Sequence, residues 1–206
     1  MTRALLLFPD LGPEAVADGW LADVQQMTSD QVLGALARRH PMGGWNGMPG
    51  RWVFLREVQA ATGAYGDVQR FDALAVGLVP TVDYARVVYE VKVSRGDWLR
   101  EMRPLLVDEA SGFRYRSVKR EYRASLIAAH KGIVETAKWA AALAVSTEFW
   151  FAAPPRCILP DELPPEAGLV EIRPWGPDRE LRARVVRPAP VRRTAVPDVG
   201  FWAAAL

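Results

Sequence analysis

Residues 71–79 and 86–93 are two apolar, strand-like runs separated by Pro80-Thr81-Val82-Asp83. Branched and aromatic side chains suit extended chain, and the proline-led segment between the runs marks a turn. So short a link predicts an antiparallel hairpin. Side chains alternate between the two faces of a strand. Val87, Tyr89, Val91 and Val93 therefore form one apolar face directed at a core, while Glu90 and Lys92 share the other face with Val88. In the first run Asp72 stands at the head of an otherwise apolar series, Leu74, Val76 and Leu78. Burying an unpaired carboxylate is costly, so Asp72 needs a partner. The hairpin sets it across from Glu90 and Lys92.

Two carboxylates and an amine converging on one spot form a recognisable chemical set. Hard oxygen ligands suit Mg²⁺ or Mn²⁺, ions that keep several waters and accept substrate phosphate. Such an ion polarises a phosphoryl oxygen and lowers the pKa of a bound water. Lys92 is placed to orient or deprotonate that water, or to stabilise developing negative charge. A Glu-x-Lys strand also occurs as a solvated face with cross-strand ion pairs, and that is the alternative reading of the same residues.

The surrounding sequence predicts a mixed α/β domain. A capped helix starts near Ser29, carries the stripe Val32, Leu33, Leu36 and Ala37, and ends on Arg38, Arg39 and His40 before Pro41. The loop at 43–50 lacks the Gly-Lys-Ser/Thr ending of a phosphate-binding loop. Residues 52–62 predict a second helix or a helix-to-strand transition, ended by Gly63. Ser94-Arg95-Gly96-Asp97 has the form of a capping box, so a helix should follow the second strand and run to about Arg103. Further helices are expected at 117–130 and 133–145, and strands at 148–152, 168–172 and 180–187. Residues 1–28 form an N-terminal segment with room for a short helix. The stretch 188–206, broken by Pro188, Pro190 and Pro197, is a tail whose Phe201-Trp202 pair could dock.

Composition removes several other chemistries. The chain has 206 residues, one cysteine (Cys157) and two histidines (His40 and His130). A lone thiol forms no internal disulfide and no cysteine-rich zinc site, and two histidines at helix ends leave little for a zinc centre or a Ser-His-Asp triad. Cys157 is expected to be a structural thiol, not a nucleophile. The apolar run 4–8 is too short for a signal-peptide core, and no run is long enough to span a bilayer. A cytoplasmic protein with no membrane partner is expected. The net charge of +2 says little about partners, so local clusters matter more.

Arg70-Phe71-Asp72-Ala73-Leu74-Ala75-Val76, followed by Val88-Tyr89-Glu90-Val91-Lys92-Val93-Ser94-Arg95-Gly96-Asp97-Trp98-Leu99, resembles the PD-(D/E)XK nuclease superfamily. Within it the likeness is greatest to the MmcB-like DNA-repair proteins. It resumes at Lys138-Trp139, Phe149-Trp150-Phe151-Ala152-Ala153-Pro154, Leu159-Pro160, Glu162-Leu163-Pro164 and Gly168-Leu169-Val170. The resemblance implies a restriction-endonuclease-like α/β fold, a mixed central sheet flanked by helices. It implies Asp72, Glu90 and Val91 as metal-binding positions for Mg²⁺ (or Mn²⁺), and Asp72, Glu90 and Lys92 as catalytic residues. Glu57 is the candidate for a further catalytic glutamate that many members carry on the helix before the first motif strand. An exposed carboxylate paired with Arg56 or Arg51 is its alternative role.

Residues 105–137 depart from the family pattern as a basic helical insert within a domain at 29–187. Arg114, Arg116, Lys119, Arg120, Arg123 and Lys131, interleaved with Tyr115 and Tyr122, suit a phosphate backbone, although a solvated helix face has the same composition. The expected activity is Mg²⁺-dependent hydrolysis of phosphodiester bonds in DNA, in repair, recombination or defence. The alternatives are a non-catalytic DNA-binding module on the same fold and an RNA-directed phosphodiesterase. DNA is the expected partner, with a second copy of the chain or a repair or recombination protein as further candidates.

Overall fold

The computed structural model describes residues 27–41, 50–59, 70–110, 114–115, 118–130 and 132–193. The expected N-terminal helix, the loop at 43–50 for all but Gly50, the stretch around Gly63, Arg116, Lys131 and the docking pair Phe201-Trp202 lie outside these residues.

Helix α1 (Ser29–Arg39) begins at Thr28, whose hydroxyl accepts from the Gln31 amide while the Gln31 side chain accepts from the Thr28 amide. That reciprocal cap satisfies two amides that would otherwise lack partners. Its stripe Val32, Leu33 and Leu36 is buried. The hairpin forms as the alternation predicts. Strand β2 (Arg70–Gly77) runs antiparallel to β3 (Arg86–Val91), joined through a short 3-10 turn at Pro80–Val82. Asp83 and Tyr84 close the turn in left-handed backbone conformations, φ 52° and 48°.

Residues 52–59 are not helical. They form strand β1 (Trp52–Gln59), antiparallel to β2 at the edge of the sheet. Phe54 and Val58 are buried while Arg56, Glu57 and Gln59 are exposed, so burial follows no clean period of two. Strand β7 (Glu148–Ala153) lies parallel to β3, β8 (Ala167–Trp175) parallel to β7, and β9 (Glu180–Arg187) antiparallel to β8. The six-stranded sheet has the order β1-β2-β3-β7-β8-β9.

One face of this sheet receives α1. Val32, Leu33 and Leu36 pack there with Ala73, Val87, Tyr89, Trp150 and Ile172. The opposite face carries Leu74, Val88, Phe149, Phe151 and Leu169 beneath Trp98, Trp139 and Ala142. Trp98 belongs to α2 (Arg95–Glu101), which follows β3 directly after the Ser94 cap, and Ala142 to the short helix that precedes β7. The molecule is thus a mixed α/β sandwich with helices on both sides of a central sheet.

The insert is not simply helical. Strands β4 (Leu105–Asp108), β5 (Arg114–Tyr115) and β6 (Ile133–Thr136) form a second sheet of order β5-β4-β6, with α3 (Arg120–Ala129) between β5 and β6 in sequence. The single helix expected at 133–145 is therefore divided into β6 and α4 (Ala140–Val145). Four residues of β6 are held by partners in β4 that lie 25 to 31 positions earlier, Leu105 with Thr136 and Asp108 with Ile133. A local sequence pattern does not report such pairing.

Candidate functional site

The β2–β3 ladder ends at Ala73 opposite Tyr89. One step further in the same register, Asp72 faces Glu90. There the Asp72 side chain takes over from the backbone, as Oδ2 accepts from the Val91 amide at 2.7 Å. Glu90 and Lys92 emerge on the α2 side of the sheet, away from the Val87, Tyr89 and Val91 face buried under α1. The strand alternation thus brings Asp72, Glu90 and Lys92 to one place. The backbone of Val91 lies within it.

Lys92 is the centre of the cluster. Its ammonium donates to Glu90 Oε1 at 2.6 Å and lies 2.9 Å from Oε2 of Glu101. All three side chains are largely covered, with 11 to 17% of each exposed. Glu101 was not anticipated from sequence. Its signal was helical spacing, since it lies three positions after Trp98 and so shares the buried face of α2. Lys138 approaches the other side, its ammonium 3.9 Å from Glu101 and donating to the Arg100 carbonyl.

Three carboxylates lie around one largely buried amine, and two of them, Glu90 and Asp72, are raised, first by burial and then by neighbouring negative charge. Burial pushes the Glu90 carboxyl up to about 7, against the pull of Lys92 and with added repulsion from Asp72 and Glu101. Asp72 is also raised, first by burial, while the Val91 amide and Lys92 lower it and Glu101 and Glu57 raise it. For Lys92, burial disfavours the ammonium, but Glu90 and Glu101 together outweigh it and hold the group above its ordinary range.

The donor set fits a small hard cation within limits. Among the described residues, no three or more histidine, cysteine, aspartate or glutamate side chains are arranged to hold an ion. Asp72 Oδ1 and Glu90 Oε2 have no hydrogen-bond partner among the described residues, which leaves one free carboxylate oxygen on each. Mg²⁺ is commonly held by one or two carboxylates with waters and substrate phosphate completing its shell. The Asp72–Glu90 pair supplies two such carboxylates, and a divalent charge beside them would favour the ionised forms that burial, and then repulsion from neighbouring carboxylates, disfavour.

Glu57 does not join the cluster. It lies on β1, not on a helix, in a left-handed conformation at φ 51°, with its side chain mostly exposed and 3.7 Å from Arg70. Its charge still reaches Asp72 as the weakest of the influences on that group.

A second set of contacts fixes the helix that carries Glu101. Glu162, in a 3-10 turn at Pro160–Glu162, accepts from both terminal nitrogens of Arg95, from Trp98 Nε1 at 3.1 Å and from the Leu159 amide at 3.3 Å. The Arg95 hydrogen bonds hold its carboxyl down at about 2. Cys157 Sγ donates to the Lys92 carbonyl at 3.4 Å, and burial raises its thiol to about 11, as suits a structural cysteine.

The basic insert is partly self-occupied. Arg123 reaches the Pro104 carbonyl and lies 3.2 Å from Glu135, with only 19% of its side chain exposed. Arg114 sits in β5, Lys119 is exposed at the head of α3, and Arg120 is the first residue of that helix. Among the described residues no helix is long and apolar enough to cross a membrane. No family model, curated protein or solved structure matches the chain.

Proposed function

We propose that this chain is a divalent-metal-dependent nuclease of restriction-endonuclease-like fold that hydrolyses phosphodiester bonds in DNA. The observation that carries this proposal is the convergence of Asp72, Glu90 and Lys92 where the β2–β3 ladder opens. Asp72 and Glu90 would hold Mg²⁺ or Mn²⁺ through their free oxygens, with the Val91 backbone alongside. The bound ion would supply Lewis-acid polarisation of the scissile phosphate and a water of lowered pKa. Lys92, kept protonated by Glu90 and Glu101, would stabilise negative charge developing on the phosphate oxygens. A protonated Lys92 is a poor base, so removal of the water's proton would not fall to it. Lys119, exposed within the insert, is available for the phosphate backbone.

One observation favours a second proposal, a DNA-binding module without efficient turnover. The Lys92 ammonium occupies Glu90 Oε1, an oxygen a metal could use. Cleavage of single-stranded, duplex and branched DNA and RNA with Mg²⁺ or Mn²⁺ separates the two. Wild type is run beside Asp72→Ala and Lys92→Ala. The nuclease proposal expects metal-dependent cutting that both substitutions reduce by at least a hundredfold. Cutting that survives both would overturn the site, and salt-sensitive binding without cutting would favour the module.

A further inference from the structure

Lys92 and a divalent cation would compete for the same carboxylate. The Lys92 ammonium lies on Glu90 Oε1 at 2.6 Å, and only 11% of the Lys92 side chain is exposed. An ammonium so covered has little water to replace a lost partner, and leaving a buried charge unpaired is costly. A cation that takes up Glu90 must therefore leave Lys92 with another anion.

Glu101 is placed to be that anion. Its Oε2 lies 2.9 Å from Lys92 Nζ, with 12% of its side chain exposed. It reaches the ammonium from a different element. Glu90 stands on β3, two residues before Lys92, whereas Glu101 is the last residue of α2. That helix is fixed without help from Asp72 or Glu90. Ser94 caps its start, Trp98 is fully buried, and Glu162 accepts from Arg95 and from Trp98 Nε1. Lys138 donates to the Arg100 carbonyl at the helix end. A change of partner at Glu90 thus leaves the second contact of Lys92 in place. Glu101 is not a third ligand in this arrangement, because among the described residues no three histidine, cysteine, aspartate or glutamate side chains are placed to hold an ion.

We propose that Glu101 is a positioning residue, which keeps the Lys92 ammonium in place when Glu90 turns to a divalent cation. One carboxylate can then serve the lysine in the metal-free chain and the ion in the loaded one. The inference rests on the proposed metal site at Asp72 and Glu90, and it gives Glu101 no contact with the ion or the substrate.

The test measures Mn²⁺ binding to the full chain by electron paramagnetic resonance of the free ion, with no nucleic acid present. Wild type is compared with Glu101→Gln, Lys92→Met and the double variant. Glu101→Gln leaves Lys92 dependent on Glu90, so Mn²⁺ affinity should fall about tenfold. In the Lys92→Met chain there is no ammonium to place, and adding Glu101→Gln should change affinity by no more than about threefold. That dependence on Lys92 separates positioning from the general effect of one lost negative charge. An equal fall in both backgrounds, or no fall in Glu101→Gln, would overturn the proposal and leave the metal site standing. Absence of saturable Mn²⁺ binding in wild type, or binding that Asp72→Ala leaves unchanged, would overturn the metal site and this inference with it.

A second measurement needs no variant that could misfold. The Lys92 ¹⁵Nζ resonance of wild type is followed while Mg²⁺ is added. The ammonium protons should exchange slowly with water both before and after saturation, with a shift of the signal as Glu90 changes partner. Fast exchange in either state would show Lys92 released to solvent and would overturn the proposal.

Discussion

Replacing Glu90 with glutamine should make the metal-free protein more stable at alkaline pH and should abolish the divalent-cation binding proposed for this site. Glutamine matches the shape of the protonated acid but cannot ionise. Burial moves the Glu90 carboxyl from 4.5 up to about 7, so the folded chain holds this proton more tightly than the unfolded chain does. Stability owed to the proton is fully present below the unfolded value and is lost as pH rises through the folded one. At roughly 1.4 kcal/mol per pH unit, the loss amounts to about 3 kcal/mol between pH 4.5 and pH 7. With 17% of the Glu90 side chain exposed, solvent screening removes little of this. Wild type and Glu90→Gln should therefore unfold alike near pH 4.5 and separate by about 6–12 °C in Tm at pH 8. The check is thermal unfolding across that range with a chelator present, repeated with millimolar Mg²⁺. Mg²⁺ should raise the Tm of wild type at pH 8 and leave the variant unmoved. A Tm difference that does not change with pH would refute the burial argument, and equal Mg²⁺ responses would refute Glu90 as a ligand.

Two substitutions away from the acids test the scaffold by urea denaturation. Trp98→Ala opens a cavity beneath Phe151, whose ring lies 4.9 Å from that of the fully buried Trp98, and should cost about 3–5 kcal/mol. It also removes a donor to Glu162, so the proposed metal-dependent cleavage should fall along with stability. In Gly168→Ala the new methyl would lie 2.5 Å from Trp150 Cε3 and 2.6 Å from the Ala189 amide nitrogen, and overpacking should cost about 1–3 kcal/mol. A neutral outcome would show that the β7–β8 region relaxes more readily than the contacts imply.

The central hairpin was legible because each strand carries its own alternation and the turn between them is short. Tyr89 and Glu90 face opposite sides in the sequence pattern as they do in the fold. The starts of α1 and α2 were legible too, near Ser29 and at Ser94, but only half of the capping box expected at Ser94 forms: its hydroxyl accepts from the Asp97 amide, while the Asp97 carboxylate accepts from Arg100. β1 was hidden because its buried residues, Phe54 and Val58, lie four apart with exposed Arg56 and Glu57 between them, which gives no clean strand period, and with it went the placement of Glu57. β6 was hidden because its existence depends on distant β4. Glu101 and Glu162 carry no motif of their own. Each draws its role from a neighbour, Lys92 in one case and the Arg95–Trp98 pair in the other.

The pairing of Leu105 with Thr136 has a consequence for how this chain could vary. The small sheet leaves the main body and returns to it at directly opposed residues, so its entry and exit lie about one strand spacing, roughly 5 Å, apart. The excursion is a closed module on a narrow neck. A turn of a few residues could bridge that neck and leave the order of the six-stranded sheet intact, and a different module could be grafted there without disturbing Asp72, Glu90 or Lys92. Selectivity for a partner and the chemistry of the acids could then change independently of each other.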